Sequence, residues 1–192
     1  SEAVDLRAGG LVRKISAGLF ISIDGVIEAP DQWQMPYFSD EVGEIITTMM
    51  SNSGALLLGR KTYQDFAGFW ADMDDSDPMA SGLNAIPKLV ASNTLQSVEW
   101  RNSTLISGNV LEEIARIKEQ SGKDITMSGS GTLINSLLLA GLLDELHLLV
   151  QPIVVGHGAH LFENGGEHQP LTLVDSKTLP KGVIHLTYQS GK

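Results

Sequence analysis

The sequence predicts an α/β fold, with a mixed, mostly parallel sheet finished by an antiparallel hairpin. Three observations carry this reading. Strand-like and helix-like segments alternate from Lys14 to Val155, the pattern of strand–helix–strand units. Residues 55–58 are wholly apolar and stop at Gly59, as strands covered on both faces do. Near the C-terminus, runs 171–179 and 183–188 flank Pro180-Lys181-Gly182, a turn signal that closes a hairpin.

The elements follow in order. Residues 14–23 are rich in β-branched and apolar side chains and end at the turn signal Asp24-Gly25. Segment 28–39 holds two prolines and three aromatic residues and reads as a loop. Residues 40–50 place Val42, Ile45, Ile46, Met49 and Met50 on one helical face, with acidic residues in the first turn, where they suit the helix dipole. Segment 61–66 reads as a short helix and 72–84 as an acidic loop. Residues 88–91 and 104–106 are short strands, and 110–119 is a helix with Leu111, Ile114, Ala115 and Ile117 as its apolar positions. Strand 125–127 runs into Ser128-Gly129-Ser130-Gly131. An apolar helix over 132–140 follows, with Gly141 as its C-terminal cap. Strand 145–155 is interrupted by Pro152 and closed by Gly156-His157-Gly158. No Pro/Ser-rich linker divides the chain, so one domain is expected over 13–192, preceded by a flexible tail over 1–12.

Composition narrows the function classes. The chain has 192 residues, 42% hydrophobic and 19% charged, enough to bury about 70% of its unfolded surface in one core. A formal net charge of −10 argues against nucleic acid or an anionic membrane as partner, because both are repelled at long range. There is no cysteine, which removes thiol catalysis, iron–sulfur clusters and disulfides, and fits a reducing cytoplasm. No stretch is long and apolar enough to span a membrane, and the first twelve residues lack the pattern of a signal peptide.

Three strand-end loops are candidate sites. Gly59-Arg60-Lys61-Thr62 lies between an apolar strand and a helix. A helix N-terminus, two cations and a hydroxyl there suit a phosphate, against the plainer reading of a basic turn. Ser128-Gly129-Ser130-Gly131-Thr132 has the same context. It is neither the G-x-G-x-x-G fingerprint, since Ile134 stands at the third glycine, nor a P-loop, and tight helix-on-strand packing explains it equally well. Ser22-Ile23-Asp24-Gly25 follows the first strand, where α/β sheets bind ligands; Asp24 either orients a substrate or closes the loop. His157 and His160, with Glu163 nearby, lie in a glycine-rich loop without metal-site spacing, so no metal is expected.

Taken together and in order, several stretches resemble one family. They are Ser22-Ile23-Asp24-Gly25-Val26-Ile27, Leu58-Gly59-Arg60-Lys61-Thr62-Tyr63, Gly129-Ser130-Gly131-Thr132-Leu133, Ala140-Gly141-Leu142-Leu143-Asp144-Glu145-Leu146, and Pro152-Ile153-Val154-Val155-Gly156-His157-Gly158. The set resembles the dihydrofolate reductase-like superfamily, and within it the riboflavin-biosynthesis reductase, or RibD C-terminal, branch. The resemblance implies a three-layer α/β/α sandwich that binds NADPH along the C-terminal ends of its strands. Gly59, Arg60, Lys61 and Thr62 would then hold phosphates, and Ser92 and Asn93 would flank the adenosine. Gly129, Ser130, Gly131, Thr132 and Leu133 would hold the pyrophosphate, with Phe20, Asp24, Gly25 and Ile27 near the nicotinamide.

The activity implied is hydride transfer from NADPH to a C=N or C=O carbon of a small substrate. That substrate would resemble either 5-amino-6-(5-phosphoribosylamino)uracil or a pterin. Folate reductases carry a carboxylate on the helix after the first loop. The corresponding position falls near Gly43, with Asp40, Glu41 and Glu44 as neighbours able to substitute. Asp24 and Asp40 are therefore the candidate catalytic residues, and Trp33, Phe38 and Trp70 the candidate substrate-pocket walls, with core packing the plainer reading of each. The alternative is a non-catalytic nucleotide-binding or regulatory protein on the same fold. The apolar content between Leu133 and Val155 exceeds what one sheet face needs, and predicts a homodimer.

Overall fold

A computed structural model describes residues 12–164 and 166–191. The tail expected over 1–12 lies, apart from Val12, outside the described residues. In chain order the elements are β1 (Ile15–Ser22), α1 (Asp40–Ser51), β2 (Ser53–Gly59), α2 (Arg60–Trp70), α3 (Pro78–Ala85), β3 (Lys88–Ala91), β4 (Ser103–Ile106), α4 (Val110–Lys118), β5 (Asp124–Ser128), α5 (Gly131–Leu139), β6 (Glu145–Gln151), β7 (Leu171–Thr178) and β8 (Ile184–Ser190). They group into two compact units, each assembled from separated segments.

The first unit comprises residues 12–15 and Ser53–Ser130. Its strands run parallel: β4 pairs with β3, β3 with β2, and β2 with β5. Residues just before β1 join its edge, where the Ile125 amide donates to the Lys14 carbonyl at 2.8 Å. The apolar run of β2 is buried throughout; Leu56, Leu57 and Leu58 are at most 2% exposed, as a strand covered on both faces requires. Successive residues of β3 show both covers. Lys88 points to α3, where its ammonium bonds the Leu83 and Asn84 carbonyls, and Leu89 points to a groove shared with Ile117 at the end of α4. Helix, sheet and helix are thus layered here as expected.

One element corrects the sequence reading. Segment 72–84 is not all loop, because α3 starts inside it at Pro78. Asp77 caps this helix, accepting the Met79 and Ala80 amides at 2.9 and 3.1 Å, and Pro78 fits the first helical position, where no amide is needed. Ala80 and Leu83 are buried beneath an acidic surface, so the aspartates masked a short amphipathic helix. The helix expected over 61–66 also runs on to Trp70.

The second unit comprises Ser16–Asn52 and residues 131–191. Here β1 pairs parallel with β6, β6 antiparallel with β8, and β8 antiparallel with β7. The mixed, mostly parallel sheet with a C-terminal hairpin is therefore present. The hairpin turns at Pro180-Lys181-Gly182, with Lys181 at φ 62° and Gly182 at φ 80°. Strand β6 stops at Gln151, short of the expected Val155, because Pro152 has no amide for a ladder. Ser39 caps α1 through the Val42 amide, and Gly141, at φ 71°, ends α5 as predicted. Val42, Leu149 and Val183 form a buried cluster, packed by Phe20, Phe38, Ile45 and Ile46. No helix among the described residues is long and apolar enough to cross a membrane.

Candidate functional site

In the first unit, two strand ends converge on one cluster. Strand β2 ends at Gly59, whose extended backbone (φ −75°, ψ 169°) starts α2 without a side-chain cap. The first turn of α2 thus presents an uncapped helix start, beside Arg60 and Lys61, both exposed. Strand β5 ends at Ser128 and turns through Gly129 and Ser130, at φ 71° and 64°. Glycine adopts this left-handed conformation freely; for serine it costs roughly 1–2 kcal/mol. The Ser130 hydroxyl supplies the compensation. It accepts the Gly59 amide at 2.9 Å and donates to the Thr62 hydroxyl at 2.9 Å. A Cβ on Gly129 would stand 3.1 Å from the Thr62 hydroxyl, and one on Gly59 3.3 Å from the Ser130 hydroxyl. Gly59, Thr62, Gly129 and Ser130 are thereby brought together.

Ser92 and Asn93 follow β3. The Ser92 hydroxyl accepts the Thr94 and Leu95 amides, both at 3.1 Å. Asn93 exchanges two hydrogen bonds with the Gly108 backbone, at 2.5 and 3.2 Å. These two residues shape the loops after β3 and β4. Trp70 closes the eleven-residue α2, about 15 Å along the helix from Arg60, and packs edge-on against Phe69. Trp70 is thus not brought to the Thr62 cluster. An open groove of about 800 Å³ lies elsewhere in this unit, along α4, and none of the candidate residues lines it.

In the second unit, the loop after β1 is clasped to the loop after β6. The Asp24 carboxylate accepts the Val155 amide at 3.1 Å and the Gly156 amide at 2.9 Å. The Ser22 hydroxyl donates to Asp24 at 2.5 Å and accepts the Val26 amide at 2.9 Å. The Ser22 hydrogen bond first, then those from Gly156 and Val155, hold the Asp24 carboxyl down at about 2. Gly25, at φ 86°, lets its carbonyl accept the Leu161 amide at 3.0 Å. Asn135 of α5 extends the clasp, donating to the carbonyls of Gly131 and Leu161 at 2.9 and 2.5 Å. Ile27 packs against Gly131 so closely that a Cβ there would stand 2.7 Å from its terminal methyl. Thr132, exposed, and Leu133, half-buried, continue the first turn of α5.

The remaining candidates have structural partners. Trp33 is buried and donates its indole N–H to the Glu28 carbonyl at 3.1 Å, stapling the first loop. The Phe38 ring lies over Gly43, 3.4 Å from where a Cβ there would stand, and the Phe38 carbonyl accepts Lys181 at 2.6 Å. Phe20 joins the same apolar cluster. Asp40 is exposed in the first turn of α1, where it suits the helix dipole. The hydrogen bonds that hold the Asp24 carboxylate ionised also shape its loop. No group of three or more metal-ligating side chains occurs among the described residues. Asn135 was not singled out from sequence; an Asn four residues after a helix start carries no signal that distinguishes a loop tie from a surface amide.

Comparison with known proteins places this arrangement. The model of the RibD C-terminal domain matches residues 13–185. The uncharacterized protein YyaP of Bacillus subtilis strain 168 is 28% identical over 182 residues, covering 92% of this chain and 94% of its own. Among solved structures, a protein of Shewanella sp. PV-4, provisionally named for riboflavin biosynthesis, is similar with a TM-score of 0.75 at 21% identity, over 93% of this chain and 99% of that one. The dihydrofolate reductase of Enterococcus faecalis, solved with NADP(H), is similar with a TM-score of 0.61 at 13% identity, over 93% and 97%. At these identities the two structures share the fold, and the family match spans most of the chain. This chain belongs to the RibD C-terminal domain family.

Proposed function

We propose that this chain is an NADPH-dependent reductase that delivers hydride to a C=N or C=O carbon of a small substrate, pyrimidine-like or pterin-like. One observation carries the reading: the uncapped start of α2, with Arg60 and Lys61 exposed and Thr62 bridged to a strained Ser130. Non-glycine residues in left-handed backbone concentrate at functional sites. The donor set fits the phosphates of a dinucleotide. The helix start and the two cations favour anionic oxygens, and Gly59 and Gly129 add no Cβ of their own to the turn. Membership in a reductase family, and the NADP(H) bound by the Enterococcus enzyme, support the same choice.

When bound, the cofactor supplies the hydride. Arg60, Lys61 and Thr62 hold and orient its phosphates, and Arg60 discriminates NADPH from NADH by pairing with the additional phosphate. Ser130 holds Gly59 and Thr62 in place. The Asp24 clasp fixes the loop after β1, so that Gly25 and Ile27 keep one arrangement. The proton comes from water, because Asp24 stays ionised and Asp40 is solvated.

The last point also favours a second reading, a nucleotide-binding protein without turnover, since neither candidate carboxyl is a buried acid. A thermal-shift titration with NADPH and NADH, on the wild type and Arg60→Ala, tests the cofactor. A ligand at a hundred times its Kd adds about 2.7 kcal/mol. Stabilisation by NADPH above NADH, lost in Arg60→Ala, is the expected result; no shift with either nucleotide overturns the proposal. NADPH oxidation at 340 nm with pyrimidine and pterin substrates then separates the two readings.

A further inference from the structure

The groove along α4 in the first unit has a wall, a floor and two unlike ends. Its wall is one stripe of that helix and its caps, where Asn109, Glu113, Ile117 and Gln120 recur at spacings of four and three. Its floor is the sheet. Leu89 of β3 and Thr104 of β4 are directly opposed and share a face. Ala55 continues that face on β2, two residues before Leu57, which stands opposite Leu89. By helix rise the wall runs about 10 Å from Glu113 to Gln120. The volume, about 800 Å³, falls in the range of small-molecule sites, about 300–1,000 Å³.

Arg13 stands at the end of the groove where α4 finishes, its amide donating to the Lys118 carbonyl at 2.9 Å. Its guanidinium lies in a cradle of two glycines: a Cβ on Gly54 would stand 3.1 Å from Nη2, and one on Gly122 3.4 Å from Cζ. Nε donates to the Lys123 carbonyl at 2.6 Å. Among the described residues that is the one hydrogen bond the guanidinium makes, and no carboxylate oxygen lies within 4 Å of it. Burial lowers its pKa, and the more distant Asp124 opposes the shift. A half-buried charge without a partner is costly, and the planar fork of Arg matches a carboxylate. The other end is acidic. Glu112 accepts the Asn109 amide group at 2.8 Å, and Glu113 pairs with Arg116 at 2.5 Å. We propose that this groove binds a small amphipathic monocarboxylate, its carboxylate on the Nη groups of Arg13 and its apolar body along Leu89, Leu105 and Ile117. A single negative charge follows from the far end, where a second anion would meet Glu112 and Glu113 and Arg116 neutralises one of them. A cationic head is repelled by Arg13.

An amide NMR titration of the full chain with decanoate tests this, with decanedioate and decylamine as comparators. Decanoate should give saturable shifts centred on Leu89, Leu105 and Ile117. Decanedioate should bind several-fold more weakly, and decylamine should leave these amides unmoved. Arg13→Gln should weaken decanoate by about tenfold or more, as loss of a charged hydrogen-bond partner does. A second variant covers the case in which Arg13→Gln does not fold. Thr104 is exposed on the groove floor, so Thr104→Trp fills the groove and leaves Arg13 in place. It should abolish the shifts at an unchanged unfolding temperature. No saturable shift at millimolar decanoate, shifts centred elsewhere, or equal binding of decylamine overturns the proposal. So does unaltered decanoate affinity in a folded Arg13→Gln or Thr104→Trp.

Discussion

Ser130 and Thr62, sixty-eight residues apart in the chain, are joined by a hydroxyl–hydroxyl hydrogen bond of 2.9 Å, and the same serine oxygen accepts the Gly59 amide. Two strand ends are thereby locked at the start of α2. Ser130→Ala removes both bonds and keeps the left-handed strain, and should lower stability by about 1–2 kcal/mol. Ser130→Gly relieves the strain and should lose less stability. Both should weaken NADPH binding by about tenfold, read by fluorescence titration. Unchanged affinity in both variants would mean that Ser130 serves the fold alone.

The Asp24 clasp should respond to acid. Its carboxyl is held at about 2, below the usual 3.8, so the folded state binds this proton less readily than the unfolded chain. The contribution is complete above about 3.8 and is lost as the pH falls through about 2. Asp24→Asn should open the clasp at neutral pH. Faster hydrogen exchange at the Val155 and Gly156 amides is the expected sign, together with altered Trp33 fluorescence. Unaltered exchange at both amides would show that the loop holds without the carboxylate.

His147 and His185, on the adjacent strands β6 and β8, stack with ring nitrogens 3.0 Å apart. Burial lowers both below 6.5. His147 and Lys177 lower His185 further, while Glu145 and Asp175 pull in the opposite direction. The unfolded chain takes up these protons first, so their contribution to stability is complete above about 6.5 and declines as the pH falls below it. Urea midpoints at pH 8 and pH 5.5 should differ, and His185→Gln should reduce the difference. An identical pH dependence in that variant would remove the pair as its cause.

Lys88 is fully buried. Its ammonium donates to the carbonyls of Leu83, Ile86 and Asn84 at 2.6, 2.9 and 3.3 Å, and lies 4.3 Å from the centre of the Trp100 ring. Burial, then the nearby Arg101, lowers its pKa to about 8. The unfolded chain therefore holds a proton that the folded one releases between about 8 and 10.5, and stability should rise with pH across that window. Lys88→Met should abolish the rise. It should also destabilise the protein by about 2 kcal/mol or more, because the end of α3 keeps carbonyls without partners. Chemical denaturation at pH 7.5 and pH 10 measures both effects.

The sequence by itself determined the α/β class, the buried β2, the closing hairpin and the positions of the strand-end loops. These features depend on periodicity, on glycine and proline, and on neighbours within a few residues, all of which are written locally. It missed α3 because aspartates that face solvent outnumber the two side chains that anchor the helix. Only the tertiary structure decided what the candidate residues do. Thr62 and Ser130 have ordinary local surroundings and acquire their roles by meeting across sixty-eight residues. Asp24 becomes a clasp because amides 131 and 132 positions away point at it. Strand β8 turns its apolar side outward through pairing with β6, an element distant in the chain. Local propensity sets which segment forms, but which side chains share a hydrogen bond or a face is fixed only when separated segments pack.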